Sequence, residues 1–157
     1  MVIGLADMVA SNDPNAELVT YSLGSCLGVT LYDPVTKVGG MLHLMLPDSS
    51  IDSGKASSSP YMFVDTGVPR LFHTVYDFGG EKRRLVIKVA GGALFLDAAR
   101  RFNIGERNLE ALQATLANAG HGIHARDTGG TSSRTLRIEL ATGAVSVQTP
   151  GRPIYRL

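Results

Sequence analysis

Apolar positions recur along this chain with two periods, one near two residues and one near 3.6. In the first third they come as short β-rich runs, and residues 2–10, 18–22 and 27–32 read as strands. Asn12-Asp13-Pro14-Asn15 supplies a turn between the first two runs, and Leu23-Gly24-Ser25 separates the second from the third. Asp33-Pro34 opens the next turn. Residues 37–46 follow as a strand, with Gly39 and Gly40 read as a bulge. Within it Met41, His43 and Met45 alternate with Leu42, Leu44 and Leu46, so the two sets face opposite sides.

The spacing then changes. Val64, Val68, Leu71, Phe72 and Val75 form a helical stripe and predict a helix over about 61–78, with Pro69 imposing a kink or a late start. Residues 85–90 read as a buried strand. Leu109, Leu112 and Leu116, followed by Gly120, predict a second helix over 107–119. Residues 122–127, 135–140 and 145–148 close the chain as strands, the last two joined by a Thr142-Gly143 turn. The serine-rich stretch 48–60 (DSSIDSGKASSSP) reads as an exposed mobile loop, and Arg100 and Arg101 as a solvated helix face. Strands gathered at both ends predict an α+β fold, a layered sandwich with a largely antiparallel or mixed sheet and two to three helices.

Length and composition narrow the class. The 157 residues predict one domain, and 44% hydrophobic with 18% charged residues excludes a disordered chain. Fifteen Lys and Arg against 14 Asp and Glu leave +1, which offers no electrostatic footprint for nucleic acid or an anionic membrane. The longest apolar stretches, 41–46 and 90–96, fall far below the roughly 18–20 residues that span a bilayer. No basic segment precedes an apolar one at the start, as a secretory signal would require. The single cysteine, Cys26, cannot form an internal disulfide, which makes a reducing cytoplasm the expected compartment.

Cys26 is also the first candidate for chemistry. Gly24-Ser25-Cys26-Leu27-Gly28 matches the G-x-C-x-G form of a nucleophile elbow. That elbow needs a helix after the nucleophile, whereas 27–32 reads as a strand, so the α/β-hydrolase fold is excluded. A cysteine in a glycine-flanked turn is still sterically open, and successive backbone N–H groups there can cradle an oxyanion. The alternative is a small buried hydrophobe. His43, in an otherwise apolar strand, must find a partner. The turn over 33–36 lets the strand after Cys26 pair with the strand carrying His43, and a core histidine bonded to backbone is the alternative. Thr20, Ser22, Asp33 and Asp48 could each accept the other imidazole N–H, and spacing does not choose among them; Thr20 and Ser22 share a strand face. His121 and His124 lack a third nearby ligand for a metal site. Neither phosphate-binding glycine motif occurs. Asp127-Thr128-Gly129-Gly130, present once, reads as a structural turn rather than half of an aspartic-protease dyad.

Taken in order, several segments closely resemble the chemoreceptor glutamine deamidase family, CheD, over about residues 2–147. They are Thr20, Gly24-Ser25-Cys26, Met41-Leu42-His43-Leu44-Met45-Leu46-Pro47-Asp48-Ser49, Lys88-Val89-Ala90-Gly91-Gly92-Ala93, Asn103-Ile104-Gly105-Glu106-Arg107-Asn108 and Asp127-Thr128-Gly129-Gly130. The resemblance implies a cytoplasmic α/β sandwich with a Cys–His–Thr triad: Cys26 as nucleophile, His43 as base and Thr20 as the residue orienting the ring. Backbone N–H groups around Ser25 and Leu27 would stabilise the oxyanion. It implies hydrolysis of glutamine side chains on the helical cytoplasmic domains of methyl-accepting chemotaxis receptors, without metal or organic cofactor. It also implies binding of CheC, the phosphatase of phosphorylated CheY. The alternatives are a regulator that binds CheC or receptor with little catalysis, and a cysteine amidase acting on another protein.

Overall fold

The computed structural model describes residues 1–94 and 102–157; Arg100 and Arg101 lie outside the described residues. Along the described chain run β1 (Val2–Ile3), β2 (Asp7–Ser11), β3 (Glu17–Leu23), β4 (Leu27–Tyr32), β5 (Gly39–Leu44), α1 (Ser53–Ser58), α2 (Val64–Asp77), β6 (Val86–Gly91), α3 (Ile104–Asn118), β7 (Ala125–Thr128), β8 (Arg134–Glu139), β9 (Ala144–Gln148) and β10 (Tyr155–Arg156). The strands form two mixed sheets, ordered β1-β3-β8-β9-β10 and β2-β5-β4-β6-β7. Each sheet holds one parallel pair, β1 with β3 and β6 with β7, and its remaining pairs are antiparallel.

Two cores separate three layers. Leu18, Leu23, Met41, Ala90, Leu136, Ile138 and Val147 fill the space between the sheets. On the far face of the second sheet, Val29, Leu31, Leu42 and Leu44 pack on Val68, Leu71 and Val75 of α2 and on Leu112 and Leu116 of α3. β4 and β5 are therefore covered on both faces and buried at every residue, which accounts for their nearly unbroken apolar runs. The fold is α+β, as the pattern of strands at both ends predicts.

The structure resolves the expected sandwich into two sheets and corrects three details. The run 2–10 breaks, because Ala6 adopts a left-handed conformation (φ 53°) and sends β1 into one sheet and β2 into the other. Gly39 and Gly40 are not a bulge but regular partners of Tyr32 and Leu31. They are glycine because both faces are crowded: a Cβ on Gly40 would lie 2.8 Å from Leu71 Cδ1 and 2.9 Å from Val75 Cγ2, and one on Gly39 would overlap Leu140. Segment 48–60 is exposed but not structureless. The side chains of Asp48 and Asp52 accept hydrogen bonds from the amides of Ser50 and Lys55 and cap short helical turns, one of them α1. α2 takes the late start, at Val64, and keeps Pro69 inside it. No helix among the described residues is long and apolar enough to cross a membrane.

At the β4–β5 turn, Asp33 is fully buried and accepts from the amides of Val35, Thr36 and Glu81 while pairing with Arg84 (Nη2 to Oδ2, 2.7 Å). Burial alone would raise its pKa; the Arg84 guanidinium and the three amides more than offset this and hold the carboxyl well below the usual carboxylate range. Its stabilising contribution is thus complete above about pH 4 and fades as the pH falls below that value. Asp33→Ala, which strands the Arg84 charge and three donors, should destabilise the fold by about 3–5 kcal/mol in denaturant unfolding at pH 7. A loss below about 1 kcal/mol would mean that water replaces the carboxylate at no cost.

Candidate active site

The site begins at an irregularity in β3. Pairing with β8 shifts register between Thr20 and Leu23, and Ser22 sits at φ 57°. This bulge breaks the alternation, so Thr20 and Leu23 both point inward while Tyr21 and Ser22 are exposed. Thr20 and Ser22 therefore do not share a face, contrary to the simple two-residue repeat, and Ser22 is turned away from the interior.

Thr20 reaches across the intersheet layer to His43. Its Oγ1 lies 2.8 Å from His43 Nδ1 and 2.9 Å from the carbonyl oxygen of Ile3, its neighbour on β1. A hydroxyl has one proton, and a carbonyl can only accept. Thr20 must therefore donate to Ile3, so its oxygen accepts from an Nδ1–H of His43. The ring is thereby held as the tautomer whose Nε2 carries a lone pair. That Nε2 is buried and has no hydrogen-bond partner among the described residues. Among the four candidates for the third group, only Thr20 meets His43. Asp33 is bound to Arg84, and Asp48 caps a helical turn at the surface.

Cys26 lies at the bend just before β4, half-buried against the intersheet core. In the ladder Gly28 faces His43 and Leu27 faces Leu44. Cys26 lies one residue beyond the end of this ladder and packs against the intersheet core, the side toward which His43 turns to meet Thr20. Gly28 adds no side chain of its own there, and Leu136 and Leu23 from the other sheet fill the space, each 2.8 Å from where a Cβ would lie.

Both groups are electrically neutral at rest. Burial pushes the Cys26 thiol up, an effect its own backbone N–H partly opposes. Burial pushes His43 below an ordinary histidine, so it is a free base at pH 7.

The turn around Cys26 is braced by three hydrogen bonds from two segments distant in sequence. Ala93 N donates to the Gly24 carbonyl (2.8 Å), Gly92 N to that of Cys26 (2.8 Å), and Asn108 Nδ2 to that of Ser25 (3.1 Å). Gly91 (φ 116°) approaches so closely that a Cβ there would collide with the Cys26 carbonyl oxygen. Gly105, on the first turn of α3, lies against Gly92; a Cβ on it would come 2.5 Å from the Gly92 oxygen. Asn108 and these glycines carry no role in the sequence reading. Their only signal was their place in the segments that resemble the family, because a buried amide on a helix has no distinguishing period.

The remaining candidates are structural. The His124 ring accepts from the Ile87 amide, and His121 packs on Phe72 with centroids 4.9 Å apart. Among the described residues no cluster of three His, Cys, Asp or Glu could hold a metal ion. Asp127 pairs with Arg134 at 2.9 Å and with Tyr155, while Gly129 N donates to Gly91 O and Leu94 N to Gly130 O. The Asp127-Thr128-Gly129-Gly130 turn therefore supports the Gly91 turn from behind.

Fold and site together define a class: a two-sheet α+β sandwich whose thiol and imidazole share the intersheet face of one sheet, with a threonine from the other sheet fixing the ring. A family model described as CheD chemotactic sensory transduction matches residues 45–149. Relatives matched over nearly the whole chain extend the likeness to the part before residue 45. The chain is 44% identical to the probable chemoreceptor glutamine deamidase CheD 1 of Syntrophus aciditrophicus (strain SB), over 157 residues that make up 100% of this chain and 98% of that protein. It is 44% identical to the probable chemoreceptor glutamine deamidase CheD of Solibacter usitatus (strain Ellin6076) across 97% of this chain and 90% of that one. With the protein of the same description from Pyrococcus horikoshii the identity is 38%, across 99% and 96%. The chain belongs to the CheD family.

The tautomer can be read directly. Ring-nitrogen NMR of the labelled protein should show His43 protonated at Nδ1 and bare at Nε2, titrating below the ordinary value of about 6.5. The unfolded chain binds that proton first, so acidification through this window should also destabilise the fold. A ring protonated chiefly at Nε2 would remove the Thr20 contact from the site.

Proposed function

We propose that this protein is a protein-glutamine deamidase acting on the cytoplasmic helices of chemoreceptors through Cys26, His43 and Thr20. The observation that carries the reading is the 2.8 Å contact from Thr20 to His43 Nδ1, which leaves a bare Nε2 on the face that Cys26 shares. The names of its relatives, probable chemoreceptor glutamine deamidases, supply the substrate class.

The chemistry follows from those groups. His43 Nε2 takes the Cys26 proton as sulfur attacks the δ-carbonyl of the glutamine side chain. Negative charge gathers on the carbonyl oxygen, where backbone N–H groups around Ser25 and Leu27 stabilise it. The imidazolium, supported at Nδ1–H by Thr20, returns the proton to the leaving nitrogen, and ammonia departs. A thioester remains. Water, deprotonated by His43, attacks it and releases glutamate and the thiol. Every proton shuttles through one ring, and no cofactor enters.

A receptor glutamine stands on a folded helical surface, so the orienting contacts come from its surroundings, and remote binding energy supports the chemical step. Free glutamine is then a very poor substrate. In this reading the Cys26 turn borders a shallow open cleft, and a CheC protein docking over it would inhibit by exclusion, leaving the chemistry itself intact.

Intact-mass spectrometry of a receptor cytoplasmic fragment tests the reaction, since each deamidation adds about one mass unit. Cys26→Ala should lose activity by roughly four orders of magnitude or more while melting like the parent. His43→Ala should lose nearly as much and should slow iodoacetamide alkylation of Cys26 at pH 7; Thr20→Ala should lose less. Parental turnover by folded Cys26→Ala would eliminate the thioester route. Titration with CheC should raise the apparent KM for the fragment at constant kcat. A fall in kcat alone, or rapid hydrolysis of free glutamine, would contradict a shared open cleft.

A further inference from the structure

The β4–β5 ladder ends at the pair Leu27–Leu44, one residue short of the nucleophile. Beyond that point no strand-to-strand bond fixes where Cys26 lies relative to the strand that carries His43. A side chain takes over. Asn108, on the second turn of α3 and completely buried, donates from its single Nδ2 group to the Ser25 carbonyl (3.1 Å) and to the Met45 carbonyl (2.9 Å). One of these carbonyls precedes Cys26 directly. The other lies two residues past His43. The amide thus stands where the next rung of the ladder would be.

We infer that Asn108 is a positioning residue for the proposed deamidation: it sets the distance between the Cys26 turn and the His43 strand and fixes the orientation of the Ser25–Cys26 peptide. The inference rests on the role of Cys26 and His43 given above. Three features support it beyond ordinary packing. A trans peptide points its C=O and N–H in opposite directions, and no cis peptide occurs among the described residues. Holding the Ser25 carbonyl toward α3 therefore turns the Cys26 N–H away from α3, and that N–H is the one that favours the thiolate form of the cysteine. Next, the orientation of the amide is forced, since an oxygen in place of Nδ2 would face two carbonyls that can only accept. Finally, Asn108 Oδ1 is buried and finds no hydrogen-bond partner among the described residues, a cost that an apolar side chain would avoid. The fold tolerates an orphaned acceptor to keep two donors at this spot. Gly105, three residues earlier on α3, sits against Gly92 and allows the helix to come close enough for the amide to reach.

The test uses Asn108→Ala, which removes the donors and leaves room for water, and Asn108→Asp, which keeps the shape and withdraws the donors. Both are compared with the parent in thermal unfolding, in steady-state deamidation of a receptor fragment, and in the pH profile of Cys26 alkylation by iodoacetamide. Displacement of reacting groups by about 1 Å lowers rates on the order of 100-fold. We expect kcat to fall by about that factor with KM within about twofold of the parent, and the alkylation midpoint to move up in pH. A folded variant with parental kcat and an unmoved alkylation profile overturns the inference, as does a rise in KM alone. Alkylation needs no substrate, so a parent that fails to deamidate would refute the proposed function while this arm still decides the role of Asn108. If neither variant folds, the parent labelled with 15N-asparagine decides. The Asn108 amide protons should exchange slowly with water and shift when Cys26 is alkylated; fast exchange or an unmoved resonance overturns the inference.

Discussion

A hydrogen bond between side chains of two different sheets sets the requirements that the rest of this molecule meets. Thr20 belongs to one sheet and His43 to the other, and their 2.8 Å contact exists only if the sheets stack at a fixed separation and register. The intersheet core maintains that separation. Leu18, Leu23, Leu136 and Ile138 come from the first sheet and meet Met41 and Ala90 from the second. The bulge after Thr20 is needed for the same reason, since it directs both Thr20 and Leu23 inward where a regular strand would direct Leu23 out. The interior of the sandwich is thus both hydrophobic core and wall of the site, and the imidazole is desolvated by the packing that holds it.

The second sheet has the opposite duty on its other face. Helices α2 and α3 cover β4 and β5, and Gly40 in the strand GGMLHL lets α2 approach closely. α3 does more than cover. Its first two turns bring Gly105 against Gly92 and Asn108 against the Ser25 and Met45 carbonyls, so a helix on one side of the sheet organises a turn that opens toward the other.

Much of this was legible in the sequence, and the exceptions have physical causes. Strands β3, β4, β6, β8 and β9 and both long helices show in the spacing of their apolar residues, because each buries at least one face. His43 drew notice as the lone polar residue of an apolar strand, and Cys26 through its flanking glycines. The division into two sheets did not show, since the switch at Ala6 depends on a single left-handed residue inside an alternating run. Gly39 and Gly40 misled because a glycine pair reads alike whether it permits a bulge or a close approach from both sides. Spacing alone left Thr20 and Ser22 equivalent, because the bulge that separates them has no sequence signal; the resemblance to the family singled out Thr20. Segment 48–60 looked unstructured because its short helical turns are held by Asp48 and Asp52 caps rather than by a hydrophobic face.

The bracing of the Cys26 turn has a consequence for how the molecule can move. Its three carbonyls are held by residues 92, 93 and 108, which belong to neither neighbouring strand of the local hairpin. A loop held only by its own ends can melt locally at little cost, whereas this turn can open only by detaching β6 and α3 together, and both are anchored in the main cores. Its opening free energy is accordingly tied to that of the whole domain, and the fluctuations common at enzyme loops are suppressed here. Any adaptation on contact with another molecule therefore falls to that molecule, because this turn presents a fixed shape.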